Sequence, residues 1–194
     1  MAGKLFVVSA CSGAGKTTLV TQAIDELSNS CPIGRVITYT TKTPRATEQN
    51  GVDYYFLSVE EFEIRIKNGF FLEWSNHYGH YYGSPHSIIT EIAQGTSLVI
   101  IADLSGAQAI KNVVNDAVLI WIYTDSLDQL KQRLLLRKTE NNEEIKKRLL
   151  IAQQELEEQK TLSVFNYSIL NNEHQKALSG RLAIIALVGH YPTN

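Results

Sequence analysis

The segment ACSGAGKT at residues 10–17 combines small residues with one lysine and one threonine in a spacing that suits phosphate binding. It matches the pattern of a glycine, four residues, and then Gly-Lys-Thr, except that Ala10 stands at the first glycine. Glycine avoids a collision between a β-carbon and a phosphate, Lys16 can reach the β- and γ-phosphates, and the Thr17 hydroxyl can be a ligand of Mg²⁺. An ordinary glycine-rich turn beside an exposed lysine is the alternative interpretation.

The segments on both sides of this loop are predicted to be a strand and a helix. Residues 5–9 form an apolar run, and residues 17–29 carry apolar side chains at helical spacing. In that setting, backbone N–H groups can converge on phosphate oxygens at the positive end of the helix dipole. The flanks therefore favour a nucleoside triphosphate site, although a phosphate loop alone does not identify the acceptor.

Further along the chain, apolar runs alternate with helical patterns. Residues 97–101 and 117–123 are rich in β-forming side chains and lack charges, as strands buried on both faces of a parallel sheet do. The patterns of helices fall at residues 87–94, 106–114 and 126–136. Repeated strand and helix units predict an α/β fold with a central parallel sheet flanked by helices.

Two segments interrupt this alternation. Residues 35–84 are rich in Thr, Tyr and Phe, which predicts a small insertion of antiparallel strands with a short helix at 59–69. Residues 137–148 are highly polar and join two helical patterns, which suggests a mobile lid. We therefore divide one domain into three parts: a core of residues 1–34, 86–125 and 150–194, an insertion at 35–85, and a lid at 126–149.

Composition limits the classes of partner. The chain has 18 basic and 20 acidic residues, a net charge of −2, so no overall basic field attracts nucleic acid or an anionic membrane. No apolar stretch approaches the roughly 18 residues of a membrane-spanning helix. Two cysteines are too few for a disulfide framework, and the N-terminal apolar run is short for a secretory signal. We expect a cytoplasmic protein, monomeric or homodimeric.

Several motifs beyond the loop occur in a fixed order. They are TTKTPR at 40–45, a Glu-x-Asn-Gly-x-Asp-Tyr-Tyr-Phe pattern at 48–56, FLEW at 71–74, GHYYGS at 79–84, and arginines at 133 and 148. Together they resemble guanylate kinases over residues 5–172. The resemblance implies a P-loop kinase fold with a GMP-binding insertion and a helical lid, and transfer of the γ-phosphoryl group of ATP to GMP.

The residue types in the insertion suit GMP as the acceptor. Guanine presents N1–H and the N2 amino group side by side, and one carboxylate, Glu73, can accept both hydrogen bonds. Taken singly, the tyrosines could be ordinary strand residues and Glu73 a solvated edge charge. With the resemblance, the predicted GMP-binding set is Thr38, Lys42, Arg45, Tyr54, Glu73, Tyr82, Ser84 and Asp103.

The resemblance also assigns the donor side and the catalytic cations. The predicted ATP contacts are Ser12, Gly13, Ala14, Gly15, Lys16, Thr17, Thr18, Arg133, Arg137 and Asn171. The predicted catalytic residues are Lys16, Arg45, Arg137 and Arg148, whose positive charges would neutralise the transferring group. Thr17 and Asp103 are the candidate Mg²⁺ ligands. For Asp103 the alternative is a helix N-cap, and for the arginines it is an exposed helix face.

Three positions depart from the family pattern. Lys42 stands where an arginine is usual, Ile101 replaces the first aspartate of an Asp-x-Asp motif, and Lys138 lies where a glycine-rich lid turn is usual. These changes leave open a different acceptor, such as dGMP or another purine monophosphate. They also leave open a binding module that has lost catalysis, or a P-loop kinase that acts on another phosphorylated molecule.

Overall fold

The computed structural model describes residues 2–11, 13–27, 33–77, 79–137 and 142–171. Its central sheet has five parallel strands in the order β2-β7-β1-β8-β9. In chain order these strands are β1 Leu5–Ala10, β2 Gly34–Arg35, β7 Leu98–Ile101, β8 Val118–Tyr123 and β9 Tyr167–Leu170. The sheet confirms the predicted α/β class, because the strands at 5–9, 97–101 and 117–123 all lie in it in parallel.

Helices cover both faces of this sheet. They are α1 Lys16–Leu27, α3 Ser87–Ala93, α4 Leu104–Val113, α5 Leu127–Arg137 and α6 Asn142–Thr161. Alternate residues of β1 enter two separate cores: Phe6 and Val8 pack in the core that contains α1, α5 and α6, whereas Leu5 and Val7 pack in the core that contains α3 and α4. Since side chains alternate across a strand, an unbroken apolar run is what a strand buried on both faces requires.

A second sheet, which we call the small sheet, has the strand order β4-β3-β6-β5. Its strands are β3 Tyr39–Thr40, β4 Tyr55–Phe56, β5 Phe71–His77 and β6 His80–Pro85. Helix α2, Val59–Lys67, begins at a capping box in which Ser58 and Glu61 each bond to the other's backbone N–H. The prediction of antiparallel strands holds for the pairs with β6 and is wrong for β3 and β4, which pair in parallel. The long connection between them allows the chain to return and run in the same direction.

Two strands lie where the sequence did not place them. β2 belongs to the central sheet rather than to the insertion, because the N–H groups of Gly34 and Val36 bond to the carbonyls of Ser97 and Val99, at 2.9 Å each. β9, which pairs with β8, was not predicted. Its sequence YSIL is short and mixed in polarity, so it becomes a strand through its neighbour rather than through its own pattern.

Helix α6 crosses the boundary that was predicted between the lid and the core at residues 149 and 150. It begins at Asn142, so the part of the polar segment that the structure describes is helical. Its few buried residues, Ile145, Ala152 and Glu155, face the protein. Lys138 lies outside the described residues. No helix among the described residues is long and apolar enough to span a membrane.

Phe62 should be the main anchor of the small sheet. Its ring is fully buried and stacks on Phe71 and Tyr81, with centroid distances of 4.4 and 5.2 Å. We expect Phe62→Ala to lower the free energy of unfolding by about 3–5 kcal/mol, because it leaves a cavity between the rings. Urea unfolding monitored by circular dichroism measures this loss.

The matched control is Ile64→Ala on the same helix. Ile64 is 49% exposed, so its truncation should change stability by no more than about 0.5 kcal/mol. Equal losses in the two variants would contradict the role given to Phe62.

Candidate active site

A cleft of about 170 Å³ lies where the carboxyl ends of β1 and β7 meet the small sheet. The phosphate loop and the start of α1 line one part of it, and residues 101–103 line another. The small sheet contributes Glu73, Ser75, His77, Tyr82 and Ser84, and α6 contributes Arg148. Residues that are far apart in the sequence therefore share one cavity.

The phosphate loop has the backbone that its glycines predict. Gly13 and Gly15 have φ angles of 90° and 92°, a region that residues with a β-carbon rarely adopt. A β-carbon on Gly15 would also lie 2.5 Å from Nδ2 of Asn171. Lys16 begins α1, and its Nζ donates a hydrogen bond to the Ala10 carbonyl, which holds the ammonium group beside the cleft. The first N–H groups of α1 have no acceptor within the helix, so this end of the cleft suits an anion.

Arg133 and Asn171 lie on the other side of the loop. Nδ2 of Asn171 donates to the Ala14 carbonyl at 2.7 Å, and the Arg133 guanidinium donates to the carbonyls of Ala14 and Asn171 at 3.3 and 2.9 Å. Neither side chain lines the cleft with Lys16. In this structure both side chains therefore support the phosphate loop on the side that faces away from the cleft. Ser12 and the side chain of Arg137 lie outside the described part of the chain.

Glu73 is a buried carboxylate at the base of the cleft. Only 8% of it is exposed, and its Oε1 accepts a hydrogen bond from the hydroxyl of Ser84, which pairs with it across β5 and β6. Burial raises the pKa of Glu73 to about 7, the hydrogen bond from Ser84 lowers it, and the negative charge of Asp103 adds to the rise. Thr38 is also buried and lines the same cavity. A buried carboxylate beside two hydroxyls is suited to a ligand that brings its own hydrogen-bond donors.

Asp103 is the N-cap of α4. Its Oδ1 accepts hydrogen bonds from Gly106 N at 2.7 Å and Ser105 Oγ at 2.8 Å, and its Oδ2 accepts one from Ser75 Oγ at 2.5 Å. Burial alone would raise the pKa of this carboxyl, but the hydrogen bonds from Ser75, Gly106 and Ser105 and the interaction with His77 together outweigh it, so the pKa is lowered. Asp103 therefore keeps its negative charge next to Glu73, and both of its oxygens already have protein partners.

Two basic side chains, Lys42 and Arg45, lie around Glu48 in the segment that follows β3. The carboxylate of Glu48 accepts hydrogen bonds from Lys42 Nζ and, at 2.8 Å, from the backbone N–H of Arg45. Lys42 Nζ also lies 4.7 Å from the centre of the Tyr54 ring. Burial lowers the pKa of Lys42, the bond to Glu48 opposes this, and the positive charges of Arg45 and Arg148 lower it further. Such a set of partly buried cations favours a phosphate dianion.

The model of the guanylate kinase family matches residues 2–185. This chain belongs to the guanylate kinase family. A guanylate kinase from Myxococcus xanthus is 38% identical over 184 residues, which cover 94% of this chain and 86% of the relative. One from Protochlamydia amoebophila is 40% identical over 176 residues, which cover 90% and 86%.

A crystal structure supports the fold of this guanylate kinase family member. The guanylate kinase from Anaplasma phagocytophilum superposes with a TM-score of 0.74 at 24% identity, covering 99% of this chain and 88% of the other. The predicted family and fold class are thus confirmed.

Most of the predicted residues lie together in the cleft of this guanylate kinase fold. Those that line it are Gly13, Gly15, Lys16, Thr17, Thr18, Thr38, Lys42, Arg45, Tyr54, Glu73, Tyr82, Ser84, Asp103 and Arg148. Their individual roles stay predictions. The departure at Ile101 also lies in this cavity, where it adds an apolar wall.

Four polar residues at or beside the cleft were missed: Glu48, Ser75, His77 and Glu155. The alternation of side chains along β5 could have indicated Ser75 and His77, since both lie on the same face of the strand as Glu73. For Glu155 the sequence gave no signal, because it sits in a helix that is mostly charged and exposed.

The stability of the protein should depend on pH through Glu73. Its pKa in the folded protein, about 7, lies above the ordinary value of 4.5, so the folded state binds this proton more tightly. The contribution of this bound proton to the free energy of unfolding is fully present below about pH 4.5 and is lost as the pH rises to about 7. We expect the free energy of unfolding of the wild type, relative to Glu73→Gln, to decrease over this range. Urea unfolding at stepped pH measures the difference.

Glu63→Gln makes the same chemical change on the exposed surface of α2 and serves as the control. Its pH profile should follow that of the wild type. A difference between wild type and Glu73→Gln that stays constant with pH would show that burial does not shift this carboxyl.

Proposed function

We propose that this chain transfers the γ-phosphoryl group of ATP to GMP, giving ADP and GDP, as the names of its curated relatives indicate. The observation that carries the proposal is the position of Glu73. This buried carboxylate, paired with Ser84, shares one cleft with the phosphate loop and Lys16. Glu73, the residue proposed to recognise guanine, and the proposed triphosphate site therefore face the same cavity.

On the donor side, the phosphates of ATP bind at the loop. The N–H groups at the start of α1 and the Lys16 ammonium supply positive charge to the β- and γ-phosphates. Lys16 exchanges its bond to the Ala10 carbonyl for bonds to phosphate. Arg133 and Asn171 keep the loop in shape through Ala14, and Oδ1 of Asn171, which has no hydrogen-bond partner among the described residues, is the candidate acceptor for the adenine amino group.

A Mg²⁺ ion bound with ATP would supply positive charge that neutralises the phosphates. The hydroxyl of Thr17 fits it, because Thr17 is exposed at the start of α1, lines the cleft and supplies the oxygen that Mg²⁺ prefers. Asp103 suits this role less well, since both of its oxygens accept hydrogen bonds from the protein. We assign Asp103 to the acceptor side, beside Glu73.

On the acceptor side, ionised Glu73 accepts hydrogen bonds from N1–H and the N2 amino group of guanine. Adenine has an acceptor at N1 and no amino group at C2, so it would offer the buried carboxylate neither of these two hydrogen bonds. Thr38 and Ser84 supply hydroxyls to the neighbouring base edge. Because dGMP presents the same base and phosphate, the same residues serve it.

The phosphate of GMP binds among the basic and phenolic groups of the cleft. Arg45 and Lys42 supply charge, and the hydroxyls of Tyr54 and Tyr82 orient the oxygens. Burial raises the pKa of Tyr82 to about 12, so its hydroxyl stays a hydrogen-bond donor. Lys42 forms weaker directional bonds than the arginine usual in the family, because an ammonium group is a point charge rather than a fork.

Transfer then requires alignment and charge neutralisation rather than a covalent step on the protein. Lys16 approaches the transferring group from the loop, and Arg45 and Arg148 approach from the small sheet and α6. These positive charges stabilise the oxygens of the transition state, and they act most strongly where water is excluded. We also place the protein in the cytoplasm, where both nucleotides are available.

Two alternatives fit the structure less well. A binding module without catalysis gives no reason for Lys16 and the glycines of the loop to face the same cleft as Glu73. A kinase for another phosphorylated molecule gives no reason for a buried carboxylate that needs two donors.

A coupled assay of ADP release tests the function directly. With Mg-ATP, we expect turnover of GMP and dGMP, and values of kcat/KM for AMP, UMP and CMP that are lower by at least about a hundredfold. Lys16→Ala should lower kcat by roughly 10²–10³, and Lys131→Ala, which changes an exposed lysine on α5, should not. A preference for AMP would overturn the role of Glu73, and no turnover with any acceptor would favour the binding module.

Arg45 should act on the acceptor and not on the donor. We expect Arg45→Ala to lower kcat/KM for GMP by about a hundredfold while the KM for ATP changes by less than about twofold, because the bonds to the GMP phosphate are lost. Lys67→Ala, on α2 outside the cleft, is the matched control. Equal effects on both substrates would contradict the proposal that Arg45 binds the phosphate of GMP.

A further inference from the structure

His77 and Glu155 face each other where the small sheet passes α6. Nε2 of His77 lies 3.5 Å from Oε1 of Glu155. His77 shares a face of β5 with Glu73, and Glu155 follows Arg148 by seven residues, about two turns of α6. The contact therefore connects the strand that holds the candidate guanine reader to the helix that carries a cleft arginine.

The carboxylate of Glu155 lacks good hydrogen-bond partners in this position. Only 5% of it is exposed, and its Oε2 has no hydrogen-bond partner among the described residues. The 3.5 Å separation at the other oxygen is longer than a good hydrogen bond to nitrogen. A buried carboxylate in this state costs free energy, and closer approach of a donor would recover it.

Burial holds both groups toward their neutral forms, and the surrounding charges act in both directions. Burial lowers the pKa of His77, Asp103 opposes this, and Lys16 and Arg148 lower it further. Burial raises the pKa of Glu155 to about 7, Lys16 lowers it, and Asp103 raises it again, as does Glu158. The ring of Tyr82 lies edge-on to His77 with its centre 6.4 Å away. The present contact is thus a loose one rather than a strong ion pair.

Binding of ATP changes this balance. The positive charge of Lys16 stabilises ionised Glu155, and the phosphates of ATP would engage it. Ionised Glu155 then loses part of this electrostatic support, and Nε2 of His77, which lies 3.5 Å from Oε1, can replace it with a hydrogen bond. A movement of β5 that carries Glu73 and its ligand toward Lys16 would also carry His77, because both belong to one strand.

We propose that His77 and Glu155 are positioning residues for phosphoryl transfer. Their contact shortens to a hydrogen bond when the small sheet closes over the loaded phosphate loop, and it sets the position of the Glu73-bound acceptor relative to Arg148. This inference rests on the proposed function, since it requires that Glu73 binds the base of the acceptor. The pair acts through the alignment of other groups and does not need to touch the transferring phosphate.

A double-mutant cycle tests this proposal, with His77→Phe, Glu155→Leu and the combined variant. His77→Phe keeps an aromatic ring beside Tyr82 but removes the donor. We expect each single change to lower kcat by about tenfold. The Kd for GMP, measured by calorimetry, should stay within about twofold of the wild-type value. The combined variant should have a kcat no lower than that of either single variant. His77→Gln, whose amide N–H reaches a similar distance, should recover activity to within about threefold of the wild type.

Controls separate positioning from folding. Leu replaces an unsatisfied buried carboxylate, so Glu155→Leu should keep the melting temperature of the wild type or raise it. His86→Phe makes the same change at an exposed position and should keep full activity. Losses that multiply in the combined variant, a His77→Gln variant as slow as His77→Phe, or single variants with full activity would overturn the inference.

The wild type is assayed with GMP first. If it is active and the variants fail these expectations, only the inference about His77 and Glu155 falls. If it is inactive with GMP, the proposed function falls and this inference with it.

Discussion

The parallel pairing of β1 with β7 is the constraint on which the cleft depends. In the register Val8 with Ile101, the phosphate loop leaves β1 at the same edge of the sheet at which residues 102–106 leave β7. In parallel sheets the carboxyl ends of adjacent strands lie together, and ligands bind in the crevice outside them. Lys16 and Asp103 therefore share one cavity, and the small sheet needs only to cover it with Glu73.

In and beside that cavity, three carboxylates acquire different properties from their surroundings. Asp103 accepts three hydrogen bonds, and its pKa is lowered in spite of its burial. Glu73 has one strong partner and Glu155 has only a loose one, and burial raises the pKa of each to about 7. Desolvation penalises the charged form, and only hydrogen bonds or opposite charges offset it. The three carboxylates thus comprise one with a lowered pKa and two whose pKa lies at about 7.

The cationic side of the cleft depends on contacts of medium range. Glu48 holds Lys42 and Arg45 together through a turn of a few residues, so the motif TTKTPR and the glutamate that follows form one structural unit. The charges of Lys42, Arg45 and Arg148 disfavour one another until an anion arrives. A bound anion would relieve this repulsion, and Lys42 would contribute to it as a point charge rather than as the two-pronged donor that an arginine provides.

The sequence alone determined what short segments decide for themselves. The backbone of the phosphate loop follows from Gly13 and Gly15 and their neighbours, the buried strands follow from unbroken apolar runs, and the motifs from Thr40 to Ser84 place the chain in its family. Tertiary structure decided what depends on distant partners: Asn171 bonds to Ala14 across 157 positions, β9 forms only against β8, β3 pairs in parallel with β4, and Glu155 meets His77. The reason is physical, since backbone propensities act within a few residues, whereas strand pairing, burial and pKa shifts arise from segments that only folding brings together.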